Sequence, residues 1–477
     1  FDRVYSLFHY EQKPCDAPQR TAKNNKGRTV KPFEKSDSFY LLLFFFIVIS
    51  AGALLLYIPG MWRKPDGTPA PVAFTDACFI ATSAVCNAGL STLDLAGLSP
   101  AGRILVIFLM QTGGIGIISF SCLLAIIPGN RLALSRRNTI QGFYLDGIEY
   151  RPRKIIRNII IFTAAIEVLG ITALAVQFAL AGVEEPLFMG VFHGISAFCN
   201  TGLSLFPDQM RSFSNNTPVL LTVMLLILLG GIGFIVLHDS ARTIGGILRG
   251  KKARLSYHSR VVLGMTGGII LAGTVFFFVM EHTRLYRSIH LTAEWMNALF
   301  QTINPRSGGF DVLPQDRLSQ PSKVLTCLLM LSGGAPGSIA GGIKLTTLFV
   351  VFAVMLRKPD RDGDIVVFRR RLPRTAVHNA VVYTLKALGL LMVFIGALAV
   401  IEGLRGMPVG RIVFEVFSAF GTVGLSLGLT GELSVPGRWV IIAAMFAGRV
   451  GLIALAFPVV RRGSLGVNYP EGSLLLG

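Results

Sequence analysis

Long apolar runs alternate with polar connectors along this chain. Roughly 20 apolar residues are needed to cross the ~30 Å hydrocarbon core of a bilayer, and eight runs reach that length. They lie at about 38–59, 102–127, 158–181, 218–241, 260–280, 322–356, 377–401 and 437–460. The pattern predicts an all-α membrane protein with eight spanning helices.

Between the two long runs of each pair lies a shorter apolar run that ends in a glycine turn. The glycines are Gly89, Gly202, Gly309 and Gly424, at intervals of 113, 107 and 115 residues. A recurring unit of this kind sets the architecture. We therefore predict four M1–P-loop–M2 repeats, each with a re-entrant half-helix, around a pseudo-fourfold pore. The repeats cover residues 38–127, 158–241, 260–356 and 377–460.

The glycine turns suggest a chemistry. Glycine tolerates a positive φ, so successive carbonyl groups can point the same way, and a ring of carbonyl oxygens can replace the water shell of a cation. One such turn alone is typical of any re-entrant segment, whereas four equivalent turns favour an ion filter. The predicted filter residues are Asn87, Ala88, Gly89, Asn200, Thr201, Gly202, Ser307, Gly308, Gly309, Thr422, Val423 and Gly424.

The second long run of the third repeat is interrupted by glycine and proline between Ser332 and Lys344. Glycine costs about 1 kcal/mol and proline about 3 kcal/mol relative to alanine inside a helix, so we expect an unwound loop at 332–344 that acts as a gate. Close helix packing is the alternative. The candidate gate residues are Ser332, Gly333, Gly334, Pro336, Gly337, Gly341, Gly342, Lys344 and Arg449.

Basic residues give the chain a formal net charge of +19, but they are unevenly placed. They crowd the tail 1–37 and the connectors 128–157, 242–259 and 357–376. This bias is the positive-inside pattern of a membrane protein, not the pattern of a nucleic-acid binder. It predicts that both tails, 1–37 and 461–477, and these three linkers lie in the cytoplasm.

The combination resembles the membrane subunit of the Trk/Ktr/HKT superfamily of potassium transporters. The glycine turns, the stretch from Gly333 to Lys344 and the basic residue Arg449 carry the resemblance, which covers residues 38 to 460. With eight long runs, the chain looks more like the Ktr branch than the Trk branch.

The resemblance implies potassium uptake across the cytoplasmic membrane, and not an enzymatic activity. It implies a homodimer with one pore per subunit and a cytosolic nucleotide-binding ring that docks on the basic face. No cofactor other than potassium ions is expected. Within the family, serine at the first filter position accompanies sodium transport, so Gly89 implies potassium selectivity.

Other function classes fit less well. A membrane enzyme needs a cluster of ionisable residues at one depth, and those within the runs are scattered. A secondary transporter with inverted repeats needs broken helices in both halves, and only the third repeat shows a clear break. A sodium-selective or non-selective cation channel is the nearest rival.

Individual charges near the filter also carry expectations. We expect Arg306 to pair with one of the outer carboxylates Asp94, Asp208 and Asp311. Glu167 and Glu402 are expected to make structural pairs. Lys344 either anchors the loop or extends to the inner surface.

Overall fold

Helices account for nearly all of the regular structure. The computed structural model describes residues 37–63, 68–123, 152–284, 290–358, 360, 364–368 and 370–451, all of which belong to the unit that begins at Asp37. The predicted tails, apart from Asp37, lie outside these residues. So do most of the linker 128–157 and the last part of the run 437–460.

Fourteen α-helices and one hairpin follow one another in the described part of the chain. The helices are α1 Asp37–Tyr57, α2 Phe74–Cys86, α3 Pro100–Leu123, α4 Pro152–Leu180, α5 Pro186–Phe198, α6 Thr217–Ile232, α7 Phe234–Leu248, α8 Tyr257–Glu281, α9 Leu291–Ile303, α10 Gln320–Leu331, α11 Leu345–Leu356, α12 Arg374–Gly403, α13 Val409–Gly421 and α14 Val435–Phe446. A π-helical turn at Ala447–Gly451 continues α14.

The same local plan recurs four times. A long helix (α1, α4, α8, α12) is followed by a helix of 13 residues (α2, α5, α9, α13), then a short 3-10 turn, and then a further helix. The last helix begins each time at a serine or asparagine cap, namely Ser99, Asn216, Ser319 and Ser434, whose side chain accepts a backbone N–H bond. Such caps, with proline in the first turn, fix where a helix starts.

The long helices have the composition of membrane spans. The windows at Tyr40–Tyr57, Arg157–Leu180, Tyr257–Glu281 and Arg374–Gly403 have mean hydropathies of 2.5, 2.4, 2.1 and 2.3. Many of their large apolar side chains are exposed, Leu169 and Leu271 among them. These four helices, and the bent pair α6–α7 if it counts as one span, are long and apolar enough to cross a membrane. The prediction of apolar helices is therefore confirmed, while the eight-span arrangement stays a prediction.

In repeat 2, the helix that follows the 3-10 turn is broken as well. A clear break was expected in repeat 3 alone. Helices α6 and α7 meet at 104° because Gly233 between them has a φ of 88°. The amide of Phe234 then donates to the carbonyl of Gly337 at 3.2 Å. The loop of repeat 3 thus occupies the break in repeat 2.

The 13-residue helices lie innermost, and their packing closes a circle. Each contacts the long helix of its own repeat. Each also contacts the helix that directly follows the 3-10 turn of the preceding repeat. Helix α2 packs on α14, α5 on α3, α9 on α6, and α13 on α10. Helix α14 of repeat 4 therefore contacts repeat 1, and the contacts between the repeats form a closed cycle.

The predicted linker 357–376 contains the only hairpin in the described part of the chain. Its strands, β1 (Val366–Val367) and β2 (Arg370–Arg371), are antiparallel, with Val366 opposite Arg371. The hydroxyl of Tyr257 at the start of α8 donates to the carbonyl of Val367 at 3.3 Å, which fixes the hairpin against that helix.

Candidate functional site

The four glycine turns meet at the centre of the circle. Gly89, Gly202, Gly309 and Gly424 have φ angles of 74°, 76°, 77° and 104°. A Cβ atom built on Gly89 would lie 2.9 Å from the Cα of Gly424, and one built on Gly309 would lie 2.9 Å from the Cα of Gly202. Real Cβ atoms do not approach backbone atoms so closely, so a side chain at these positions requires the neighbouring turn to shift.

The residue before each glycine presents its carbonyl oxygen to a neighbouring turn. Cβ atoms built on Gly89, Gly202, Gly309 and Gly424 would lie 2.3, 2.6, 2.2 and 3.0 Å from the carbonyl oxygens of Thr201, Gly308, Val423 and Ala88, respectively. The contacts run from repeat 1 to 2, 2 to 3, 3 to 4 and back to 1. Each of these carbonyl groups therefore lies beside the glycine of another repeat, and the four turns form a closed ring of neighbours.

Each turn begins at a residue in the left-handed region. Asn87, Asn200, Ser307 and Thr422 have φ angles of 52°, 54°, 73° and 50°. The 13-residue helices end shortly before them, so the C-terminal ends of these helices face the ring. Helix C-termini carry partial negative charge, and this charge favours a cation at the centre.

The side chains that start the turns are held in two different ways. The amide of Asn87 donates to the Met110 carbonyl of α3 at 3.3 Å and to the Thr201 hydroxyl at 2.7 Å. With its amide nitrogen turned towards the acceptors, Asn200 donates to the Ile227 carbonyl of α6 at 3.1 Å. The buried hydroxyls of Ser307 and Thr422 have no partner among the described residues. The ring is thus tied to the surrounding helices on the side of repeats 1 and 2.

The expected unwound loop lies between α10 and α11. It leaves α10 at Ser332, where a parallel bridge joins Ser332 to Ile343, and the amide of Gly333 donates to the Ile343 carbonyl at 3.0 Å. Gly337 and Gly342 take the left-handed φ angles of 76° and 66°. The glycines therefore permit a tight excursion that a helix cannot make.

The loop is bonded to the broken helix of repeat 2. The amides of Ala335 and Ile339 donate to the carbonyls of Gly231 and Gly230 at 2.9 and 3.2 Å. These carbonyls lie at the end of α6, where the helix itself supplies no donors. Pro336 also lies at the break, with its carbonyl oxygen 3.0 Å from a Cβ built on Gly233. Loop and helix end therefore satisfy each other.

The loop also lies against the glycine turn of repeat 4. A Cβ atom built on Gly341 would lie 2.1 Å from the hydroxyl oxygen of Thr422. A Cβ atom built on Gly114 of α3 would lie 3.3 Å from the side chain of Ile339. The loop thus contacts the filter turn of repeat 4 and helices from repeats 1 and 2.

Arg449 links the loop to the first filter turn. It lies in the π-helical turn after α14 and is 2% exposed. Its guanidinium donates to the Ile339 carbonyl of the loop, to the Asn87 side-chain oxygen at 2.9 Å and to the Gly113 carbonyl of α3 at 3.0 Å. Its acceptors are thus amide and carbonyl oxygens, not a neighbouring carboxylate.

Lys344 anchors the loop, which is one of the two expected roles. Its ammonium group donates to the Ala340 carbonyl at 2.7 Å, and Gly334 accepts a bond from the Leu345 amide at 3.1 Å. These bonds hold the return of the loop into α11.

The charges around the filter pair differently from the expectation. Asp311 accepts from Arg211, which comes from repeat 2, and not from Arg306. Burial raises the pKa of Asp311, and the Arg211 guanidinium counteracts this shift. Asp94 caps the 3-10 turn by accepting from the Ala96 amide at 2.9 Å. Among the described residues, no carboxylate forms an ion pair with Arg306, so the expected pairing is wrong.

Sequence reasoning also missed contacts that join neighbouring repeats. Asp76, at the start of α2, pairs with Arg438 of α14 at 2.7 Å. Glu167 of α4 accepts from Gln111 of α3 at 2.8 and 3.0 Å, and this is a structural contact of the kind expected for Glu167. In each case, a carboxylate within an apolar run was the only signal that a partner is needed. The partners lie 362 and 56 residues away, and one sequence does not show such pairs.

Comparison with known proteins identifies the family. The family model TrkH, described as a cation transport protein, matches residues 17–462. This chain belongs to the TrkH family. The family comprises cation transporters and is not a family of enzymes.

Several TrkH-family relatives match over most of their length. The potassium/sodium uptake protein NtpJ of Enterococcus hirae is 34% identical over 434 residues, which cover 89% of this chain and 94% of the relative. The Ktr system potassium uptake protein B of Bacillus subtilis is 31% identical over 436 residues, which cover 90% and 94%.

A solved structure shares the fold. The crystal structure of the potassium transporter TrkH from Vibrio parahaemolyticus matches with a TM-score of 0.69, over 90% of this chain and 86% of that one. At 22% sequence identity, this likeness concerns the fold alone.

Proposed function

We propose that this chain carries potassium ions into the cell through the ring at Gly89, Gly202, Gly309 and Gly424. The observation that carries the proposal is the closed set of four carbonyl groups, each beside the glycine of a neighbouring repeat. Backbone oxygens are hard ligands that suit an alkali cation, and the helix ends behind them add negative potential.

We further propose that the loop 332–344 is the gate and that the structure corresponds to a closed arrangement. The loop lies against Thr422, and its backbone is bonded to the end of α6 and to Arg449. Opening then requires these bonds to break while the filter stays intact. Helix bending at Gly233 can accompany the movement because the loop occupies that bend.

The proposal includes a setting in the membrane. Eight spans with four re-entrant half-helices would place both termini and the basic connectors in the cytoplasm of a cell with this protein in its inner membrane. A homodimer and a cytosolic nucleotide-binding ring on the basic face are proposed from the family resemblance. The family membership and the four apolar long helices support this setting.

Flux into proteoliposomes tests the function. The purified chain is reconstituted, and uptake of potassium, rubidium and sodium is compared under equal gradients. Uptake of potassium and rubidium well above that of sodium is expected. Absence of uptake in the wild type, together with absence in a variant whose loop 333–342 is shortened, would contradict the proposal, because the shortened loop removes the proposed gate.

Combined potassium and sodium uptake is the second candidate. One relative, at 34% identity, is named a potassium/sodium uptake protein. Equal uptake of both ions in the same assay would favour this candidate. The variant Gly89→Ser separates the two further, since it should reduce discrimination only if the ring selects potassium.

A further inference from the structure

We propose that Arg306 forms the core of a binding site for a small monatomic anion, such as chloride, between the filter and the gate loop. Arg306 lies three residues before Gly309 in the third filter turn. It is 8% exposed, and its Nε atom is buried without a partner among the described residues.

Arg306 lines a small cavity, and the gate loop also contributes to its wall. The cavity walls include Thr266 of α8, Gly231 at the end of α6 and Gly334 of the loop, and the remaining wall is apolar. Arg306 therefore lies where repeats 2 and 3 approach the gate loop. No carboxylate lies in this wall.

The polar groups of the cavity are mainly unused donors. Arg306 has up to five N–H donors, and its buried Nε has no partner among the described residues. The Thr266 hydroxyl lies in the same wall. The carbonyls nearby are already engaged, since Gly231 accepts from Ala335 at 2.9 Å and Gly334 accepts from Leu345 at 3.1 Å. A positive cavity with spare donors and occupied acceptors selects an anion.

Burial makes the missing negative charge costly. An isolated charge in a low-dielectric interior is strongly destabilised unless it is paired. Arg449 differs from Arg306 because three oxygen atoms accept from its Nη groups, although its Nε also has no partner among the described residues. The C-terminus of α9 offers Arg306 only a partial charge. A bound anion supplies the full counter-charge.

The cavity size limits the ligand. Its volume of ≈ 10 Å³ corresponds to roughly one sphere of water size. A monatomic anion is the class of anion nearest to this size. Because Gly334 belongs to the loop, the anion would also bind best when the loop is in the arrangement seen here.

Anomalous diffraction with bromide tests the binding directly. Crystals of the full chain grown in bromide should show a peak within hydrogen-bond distance of the Arg306 guanidinium, and the variant Arg306→Gln should lose it. Thr266→Val keeps the charge and removes one donor, so the bromide concentration that half-fills the site should rise about tenfold. Density for water alone at this position would overturn the proposal, as would a bromide peak that survives in Arg306→Gln.

Flux measurements test the consequence, which rests on the proposed function. Rubidium uptake is measured with chloride or the larger anion gluconate on both sides, with a protonophore to carry compensating charge. A several-fold difference between the two anions is expected in the wild type and in Arg211→Gln, the matched arginine paired with Asp311, and no difference in Arg306→Gln. Equal anion dependence in all three proteins would refute the link to transport, while the bromide result would still decide the site itself.

Discussion

The contact between the gate loop and the filter makes Gly341→Ala a sharp test. A methyl group at this position would lie 2.1 Å from the hydroxyl oxygen of Thr422 and 3.0 Å from its methyl carbon. Thr422 begins the fourth glycine turn, and its hydroxyl oxygen and methyl carbon are the atoms nearest to the new methyl group. Either the Thr422 side chain or the loop has to move, and a movement of the loop withdraws it from the position that it occupies in this structure.

The size of the effect follows from the overlap. Forcing an extra methyl group into a packed interior typically costs about 1–3 kcal/mol. If the cost falls on the closed arrangement alone, the ratio of open to closed protein rises by roughly 5–150-fold. Rubidium uptake should increase until the open form dominates, and selectivity against sodium should be retained because the ring glycines are unchanged.

A second substitution should reverse the effect. Thr422→Ala removes the two atoms that lie nearest to the new methyl group and leaves the Cβ at 3.1 Å. The hydroxyl of Thr422 has no partner among the described residues. Thr422→Ala alone should therefore behave much like the wild type. Gly389→Ala is the matched control, because a Cβ at Gly389 meets nothing within 4 Å.

The assay is initial rubidium uptake into proteoliposomes, with thermal stability measured on the same preparations. The reasoning predicts fast uptake for Gly341→Ala and wild-type uptake for the double variant with Thr422→Ala. Unchanged uptake in folded Gly341→Ala protein would refute the gate assignment. Increased uptake that persists in the double variant would refute the steric mechanism.

Three further substitutions test neighbouring parts of the site. Gly89→Ser should lower the ratio of potassium to sodium uptake at least severalfold, because a side chain here displaces the Thr201 carbonyl of the next turn. An unchanged ratio would argue against the filter. Arg449→Gln should raise uptake and lower the melting temperature, since each lost hydrogen bond to a charged group is worth about 1.5–3 kcal/mol. Unchanged uptake and an unchanged melting temperature would show that Arg449 does not hold the loop closed. Asp76→Asn should destabilise the fold by about 1–3 kcal/mol through the lost pair with Arg438, measured by thermal unfolding with no change in selectivity; a change in selectivity alone would point to a role in the filter.

The convergence of the filter turns could be predicted because it depends on a repeat. Each turn follows an apolar run of similar length, and the three intervals between the glycines are nearly constant. The loop at 332–344 was also predictable, since its glycine and proline content opposes a helix locally. Both predictions rest on local sequence, and neither needs a distant contact.

The break between α6 and α7 could not be predicted in this way. The sequence GGIG occurs at residues 113–116 in repeat 1 and again at residues 230–233 in repeat 2. Only the segment 230–233 interrupts its helix. The difference lies in the tertiary contact, because the amide of Phe234 reaches the carbonyl of Gly337. The pairing of Asp311 with Arg211 rather than Arg306 has the same cause, namely partners 100 residues apart.

The two sides of the ring are built from different side chains, and this difference should appear in function. Asn87 and Asn200 tie their turns to carbonyls of the adjacent helices, whereas the Ser307 hydroxyl has no described partner. Asn200→Ser should therefore loosen the ring, with about 0.5–1.5 kcal/mol lost for each neutral hydrogen bond and a lower ratio of potassium to sodium uptake. Ser307→Ala removes a polar group at the equivalent position of repeat 3 and should change neither quantity. If both variants lowered selectivity equally, the ties to the helices would not be what holds the ring, and the backbone of the turns alone would have to do so.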